Sequence, residues 1–260
     1  MNRVIDTENR SFSLNITITC KGKKNFRVWA EDYGKQNSKY ADRTIAVEGQ
    51  RTIFFSFPVS PRQIFFSCVD IENPKGDDFS VNVEAIPLKT YNIATDGETR
   101  DFMQLAIQFS QVAGFKFPDV NGTVYQTSDE RFTIKYFPVI KGPNGVPMNT
   151  PARIGHNTGI IETAYQKFKN YTIPMRIAIL LHEFSHKYKN PKIGLEIGNE
   201  IGADINALYI YLGLGFSKID AICVFGQVFL KAQTPGNQAR MRKIMDYINK
   251  FENQEFAKVN

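Results

Sequence analysis

Along the first third of the chain, apolar and polar residues alternate with a period of two. Phe12, Leu14, Ile16, Ile18 and Cys20 are separated by Ser13, Asn15, Thr17 and Thr19. This is the pattern of a strand with one face inward and one toward water. Phe26, Val28 and Ala30 repeat it after the turn Lys21-Gly22-Lys23-Lys24. Denser apolar runs at 52–57 and 63–69 flank Pro58 and Pro61, which cannot donate to a central ladder. Phe79, Val81, Val83 and Ala85 alternate again beyond the turn cluster at 73–78. Five or six short strands with turns between them predict an antiparallel β-sandwich over residues 1–93. Nothing in it reads as catalytic. Phe54-Phe55 and Phe65-Phe66 place aromatics on both faces of their strands, so one face is expected to fill the core and the other to dock.

The pattern changes after the turn-and-cap cluster Ala94-Thr95-Asp96-Gly97-Glu98. Phe102, Leu105, Ala106, Phe109, Val112 and Ala113 recur at helical spacing, and Gly114 suits a stop. Between about 123 and 165 the chain reads as extended, with a Gly- and Pro-rich loop at 141–151. From Pro174 onward four helices are predicted, at 174–189, 198–212, 217–232 and 238–255. The fold class expected is α+β: the sandwich at 1–93, then a mainly helical domain at 94–260.

Composition narrows the function classes. Hydrophobic residues make up 42% and charged residues 22%, which excludes wholesale disorder. No apolar run, that at 177–181 included, is long enough for a transmembrane helix. The first residues lack the apolar core of a signal peptide, so a cytoplasmic protein, or one carried on a virion, is expected. Net charge is +6, but the basic residues are scattered, which argues against a nucleic-acid face. Three cysteines without regular spacing read as buried free thiols.

The chemistry concentrates in His182-Glu183-Phe184-Ser185-His186, which follows the apolar run. On a helix, positions i and i+4 share one face, so both imidazoles can reach one zinc ion, with Glu183 beside it as a proton acceptor. Two of the chain's three histidines make this motif. Downstream, Glu200 and Asp204 repeat the i, i+4 spacing with carboxylates. Glu200 suits a third ligand, and Asp204 suits a hydrogen bond from the far nitrogen of a ligand histidine. Asp204 itself, then Glu196, are the alternative third ligands. The metzincin pattern fails, because Lys189 and Lys192 stand at its Gly and third His.

His182-Glu183-x-x-His186 followed by Asn199-Glu200-x-x-x-Asp204 resembles the gluzincin metallopeptidases, the thermolysin-like zinc enzymes. The resemblance spans about residues 174–212. It implies a zincin-like domain in which His182, His186 and Glu200 bind zinc. Glu183 is then the general base and Asp204 the partner of a ligand histidine, with a protein or peptide as substrate. His156 is a candidate oxyanion stabiliser or a surface residue. The two-domain layout also resembles the zincin-like ring or tail proteins of crAss-like short-tailed phages. That layout implies self-association, or docking of the chain into a larger assembly.

Overall fold

A computed structural model describes residues 1–35, 38–91, 93, 95–188, 200–232 and 234–252. The chain forms two compact units, Met1–Lys89 and Thr90–Asn260.

The first unit is an antiparallel sheet built around one long hairpin. Its strands are β1 (Asn2–Asp6), β2 (Phe12–Asp32), β3 (Lys39–Phe57), β4 (Gln63–Asp70) and β5 (Phe79–Ile86). They belong to a single hydrogen-bonded sheet in the order β1-β4-β2-β3, with β5 also on β2. The two strands expected at 12–20 and 26–30 are one strand. The register with β3 slips between Cys20 and Lys23, opposite Gly49, and β2 continues. Gly22 and Gly49 take the left-handed conformation there, with φ of 69° and 70°. This bulge bends the hairpin and keeps both halves paired. Beyond the bend β2 exchanges one neighbour for another: residues 13–20 pair with β5 and residues 26–32 with β4.

The bend also brings distant parts of β3 together. The Arg43 guanidinium donates to the Phe54 carbonyl at 2.9 Å, and the Tyr40 and Phe57 rings lie 6.3 Å apart. Leu14, Ile16, Ile18, Phe26, Val28, Phe55, Ile64 and Phe66 close into the core. Each aromatic pair splits as its alternation requires. Phe55 and Phe66 are buried, while Phe54 is 52% exposed and Phe65 half-buried. Cys20 and Cys68 are buried free thiols; Cys223, in the second unit, is only half-buried.

The second unit begins with α1 (Gly97–Val112), whose first turn is capped by the Asp96 carboxylate accepting from the Thr99 N–H at 2.7 Å. A mixed sheet follows: β6 (Thr123–Gln126), β7 (Thr133–Phe137), β8 (Ala152–Ile154) and β9 (Ile161–Ala164). Its order is β6-β7-β9-β8, with β7 and β9 parallel and β8 at the edge. The helices are α2 (Tyr165–Phe168), α3 (Ile173–Ser185), α4 (Glu200–Gly213), α5 (Lys218–Val224) and α6 (Pro235–Glu252). The helix expected at 217–232 is not uniform: after Val224 the chain widens into a π-helical turn, Phe225–Phe229. No helix among the described residues is long and apolar enough to cross a membrane.

Helix α3 is the axis of this unit, and all 13 of its residues are buried. Phe184 stacks on Phe102 of α1 at 4.2 Å and on Tyr188 at 4.9 Å. Arg176, fully buried, shows what such a position demands of a charge. It donates to the carbonyls of Ser110 and Ala113 at the end of α1 and of Phe168 at the end of α2. A cation at two helix C-termini satisfies carbonyls that have no partner within their own helices. Gly114 makes room for it. Its φ is +83°, and a Cβ there would stand 2.5 Å from Arg176 Nη2 and 2.9 Å from the Lys169 Cα.

Candidate metal centre

Helix α3 starts where its sequence allows: Thr172 caps it through the Met175 N–H, and Pro174 sits in the first turn. The apolar run then carries the helix through the core. Any polar side chain on its last turn must therefore find a partner or an ion. His182 is 3% exposed and Glu183 is 7% exposed. His186 caps the helix in αR geometry, one turn beyond His182. Their Nε2 atoms converge to 3.1 Å.

Helix α4 supplies the opposing carboxylates. It packs along α3, tied by the Asn206 amide donating to Ser185 Oγ at 2.7 Å. Glu200, in its first turn, reaches both imidazoles: Oε2 lies 3.6 Å from His182 Nε2 and Oε1 lies 3.6 Å from His186 Nε2. His182, His186 and Glu200 thus form a group whose ligand atoms lie within 4.8 Å of one another and could hold a metal ion. The donor set fits one. Ligand arms of about 2.0–2.1 Å in a tetrahedron imply nitrogen and oxygen atoms about 3.3 Å apart. The two nitrogens here are 3.1 Å apart, and each lies 3.6 Å from a different oxygen of Glu200.

The protonation states favour the same use. Burial, and secondarily the neighbouring His182, lowers the pKa of His186 below its ordinary value. A neutral imidazole is the form that ligates. Burial raises the pKa of Glu183, opposed by the charge of His182 and by the Ile154 backbone on β8.

Asp204, one turn along α4 from Glu200, is fully buried. Its Oδ1 stands 3.0 Å from His182 Nδ1, although the alignment is poor for a hydrogen bond. A proton on Nδ1 leaves the Nε2 lone pair toward the shared focus. The same carboxylate accepts two hydrogen bonds of 2.9 Å from Arg240 on α6. Arg240 Nη2 also lies 3.1 Å from Glu200 Oε2. Nothing in the motif spacing pointed to Arg240. The one available signal was a single Arg four residues before Ile244, on the apolar face of an otherwise polar helix.

The π-helical turn walls the site. The Phe229 ring lies 4.2 Å from the His182 ring, and Phe225 lies 6.4 Å away. His156 sits on the exposed turn between β8 and β9 and is not part of the ligating group. Its charge nevertheless contributes to lowering His186. Glu196, Lys189, Lys192 and Asn199 lie outside the described residues. Comparison with protein-family models, with curated proteins and with solved structures finds no match to this chain.

Proposed function

We propose that this protein is a zinc-dependent peptidase of the gluzincin type, with its zincin-like domain in the second unit. The observation that carries the reading is the convergence of His182, His186 and Glu200 on one point, with a buried carboxyl, Glu183, on the same helix turn. A zinc ion held by those three residues would supply Lewis acidity, polarising a carbonyl and bringing the pKa of water toward about 7.

The rest of the chemistry belongs to the chain. Glu183 accepts the proton of the attacking water and delivers it to the departing amine nitrogen. Its burial suits both tasks, because an acid raised above the usual carboxylate range holds a proton long enough to pass it on. Asp204, 3.0 Å from His182 Nδ1, is placed to favour the tautomer that presents Nε2. The substrate class follows from β8. It is the edge strand of the mixed sheet, and its Ile154 backbone contacts Glu183. An extended peptide added to that edge would run past the base, the usual mode of strand addition.

The decisive comparison is wild type against Glu183→Gln, both loaded with zinc, on a broad peptide library. Cleavage by the wild type alone is expected. Equal cleavage by both assigns the activity elsewhere. Zinc binding with no cleavage by either transfers the reading to an assembly component, such as a virion ring or tail protein, that keeps a zincin fold and works by docking.

A further inference from the structure

The fork of Arg240 reaches two carboxylates that belong to different tasks. Nε and Nη2 bind Asp204 in a bidentate pair, each at 2.9 Å. Nη2 also meets Glu200 Oε2 at 3.1 Å. The guanidinium side chain is 15% exposed, and Asp204 is 1% exposed. It projects from the face of α6 that buries Ile244, Ile248 and Phe251. A planar guanidinium holds a geometry of this kind, where an ammonium would satisfy one oxygen at a time.

We infer that Arg240 is the positioning residue of the metal group: it fixes Asp204, and through it the His182 ring, while occupying one oxygen of Glu200 so that the other faces the ion. This rests on the metal reading above. Helix α6 thereby sets the denticity of a ligand on α4. A buried Arg that merely balanced Asp204 would matter for stability and leave the ligand field untouched. The two roles therefore separate in a spectrum.

The test uses the full chain with zinc and with cobalt(II), whose visible absorption weakens as coordination rises above four. Zinc affinity, the cobalt spectrum and thermal unfolding in chelator are measured for wild type, Arg240→Lys and Arg240→Gln. Both variants are expected to bind zinc about 10- to 100-fold more weakly, as is typical when a partner of a ligand is lost. Their cobalt bands should lose intensity as Glu200 presents both oxygens. Lysine should fail to restore either property. If Arg240→Gln does not fold, Arg240→Lys, which keeps a cation beside Asp204, reads the same quantities. Variants that unfold at lower temperature yet keep the wild-type affinity and cobalt spectrum would overturn the inference while leaving the metal centre standing. A wild type that takes up neither ion would remove both.

Discussion

The two units bury charge in different ways. In the first, Asp70 is the one buried charged residue among those described. Its surroundings close around it: Lys24 donates at 3.0 Å, and the N–H groups of Glu72 and Asn73 complete the turn. In the second unit, Arg176 is closed off in the same manner by three carbonyls. His182, Glu183 and Asp204, buried on facing helices, are different. Their polar atoms, with His186 and Glu200 at the rim, leave two imidazole nitrogens and a carboxylate oxygen aimed at a common focus. Buried polar groups cost free energy unless partnered. A group whose partners are all protein reads as architecture. A set that shares one focus reads as a site.

The contrast breaks first at the histidines. Wild type should hold one zinc per chain, and His182→Ala or His186→Ala should lose it on dialysis, because two remaining ligands compete poorly with buffer. Metal analysis showing full retention in both variants would erase the distinction. Next, Glu183→Gln should keep its zinc and lower peptide hydrolysis by about 10²- to 10⁴-fold, the usual contribution of a positioned proton acceptor.

A finer cut separates ligand from support. Asp204→Asn should weaken zinc binding by about 10- to 100-fold, and Glu200→Gln by more. Competition with a chelating dye measures both, and the opposite ranking would exchange their roles. Arg176→Met probes the architectural kind of burial. It should lower stability by about 1–3 kcal/mol for each carbonyl left unpaired, with zinc stoichiometry unchanged. The smallest effect belongs to the first unit. The Lys24 hydrogen bond, more than any other influence, holds the Asp70 pKa below its ordinary 3.8. A depressed acid stabilises the fold above its unfolded pKa and loses that contribution as pH falls through the folded one. Acid titration of unfolding should therefore show a decline below about pH 4 that shrinks in Lys24→Met.

Much of this was readable along the chain because the relevant rules are local. The period of two in β2 needs only neighbouring residues, and it marked Leu14 through Ala30 as inward-facing. The bulge was read as a turn, since Lys21-Gly22-Lys23-Lys24 looks the same in either role until a partner strand is known. Strand β1 and the first half of β3 carry little alternation of burial. Their structure comes from pairing, which composition does not record. The helix expected at 217–232 breaks at Phe225, and the π-helical turn sets Phe229 against His182, a contact that no propensity reports.

The same division runs through the metal group. At 3.6 residues per turn, residues four apart must share a helix face. Spacing alone therefore put His182 beside His186 and Glu200 beside Asp204. Whether the two faces meet depends on how α4 packs on α3, a contact across sequence separations that no local rule fixes. Arg240 lies 36 residues beyond Asp204 and still makes its closest contacts there. Helix periodicity is a property of the backbone and is written into any sequence that folds as a helix. The meeting of α3, α4 and α6 is a property of the packed core, and only folding brings their charges together.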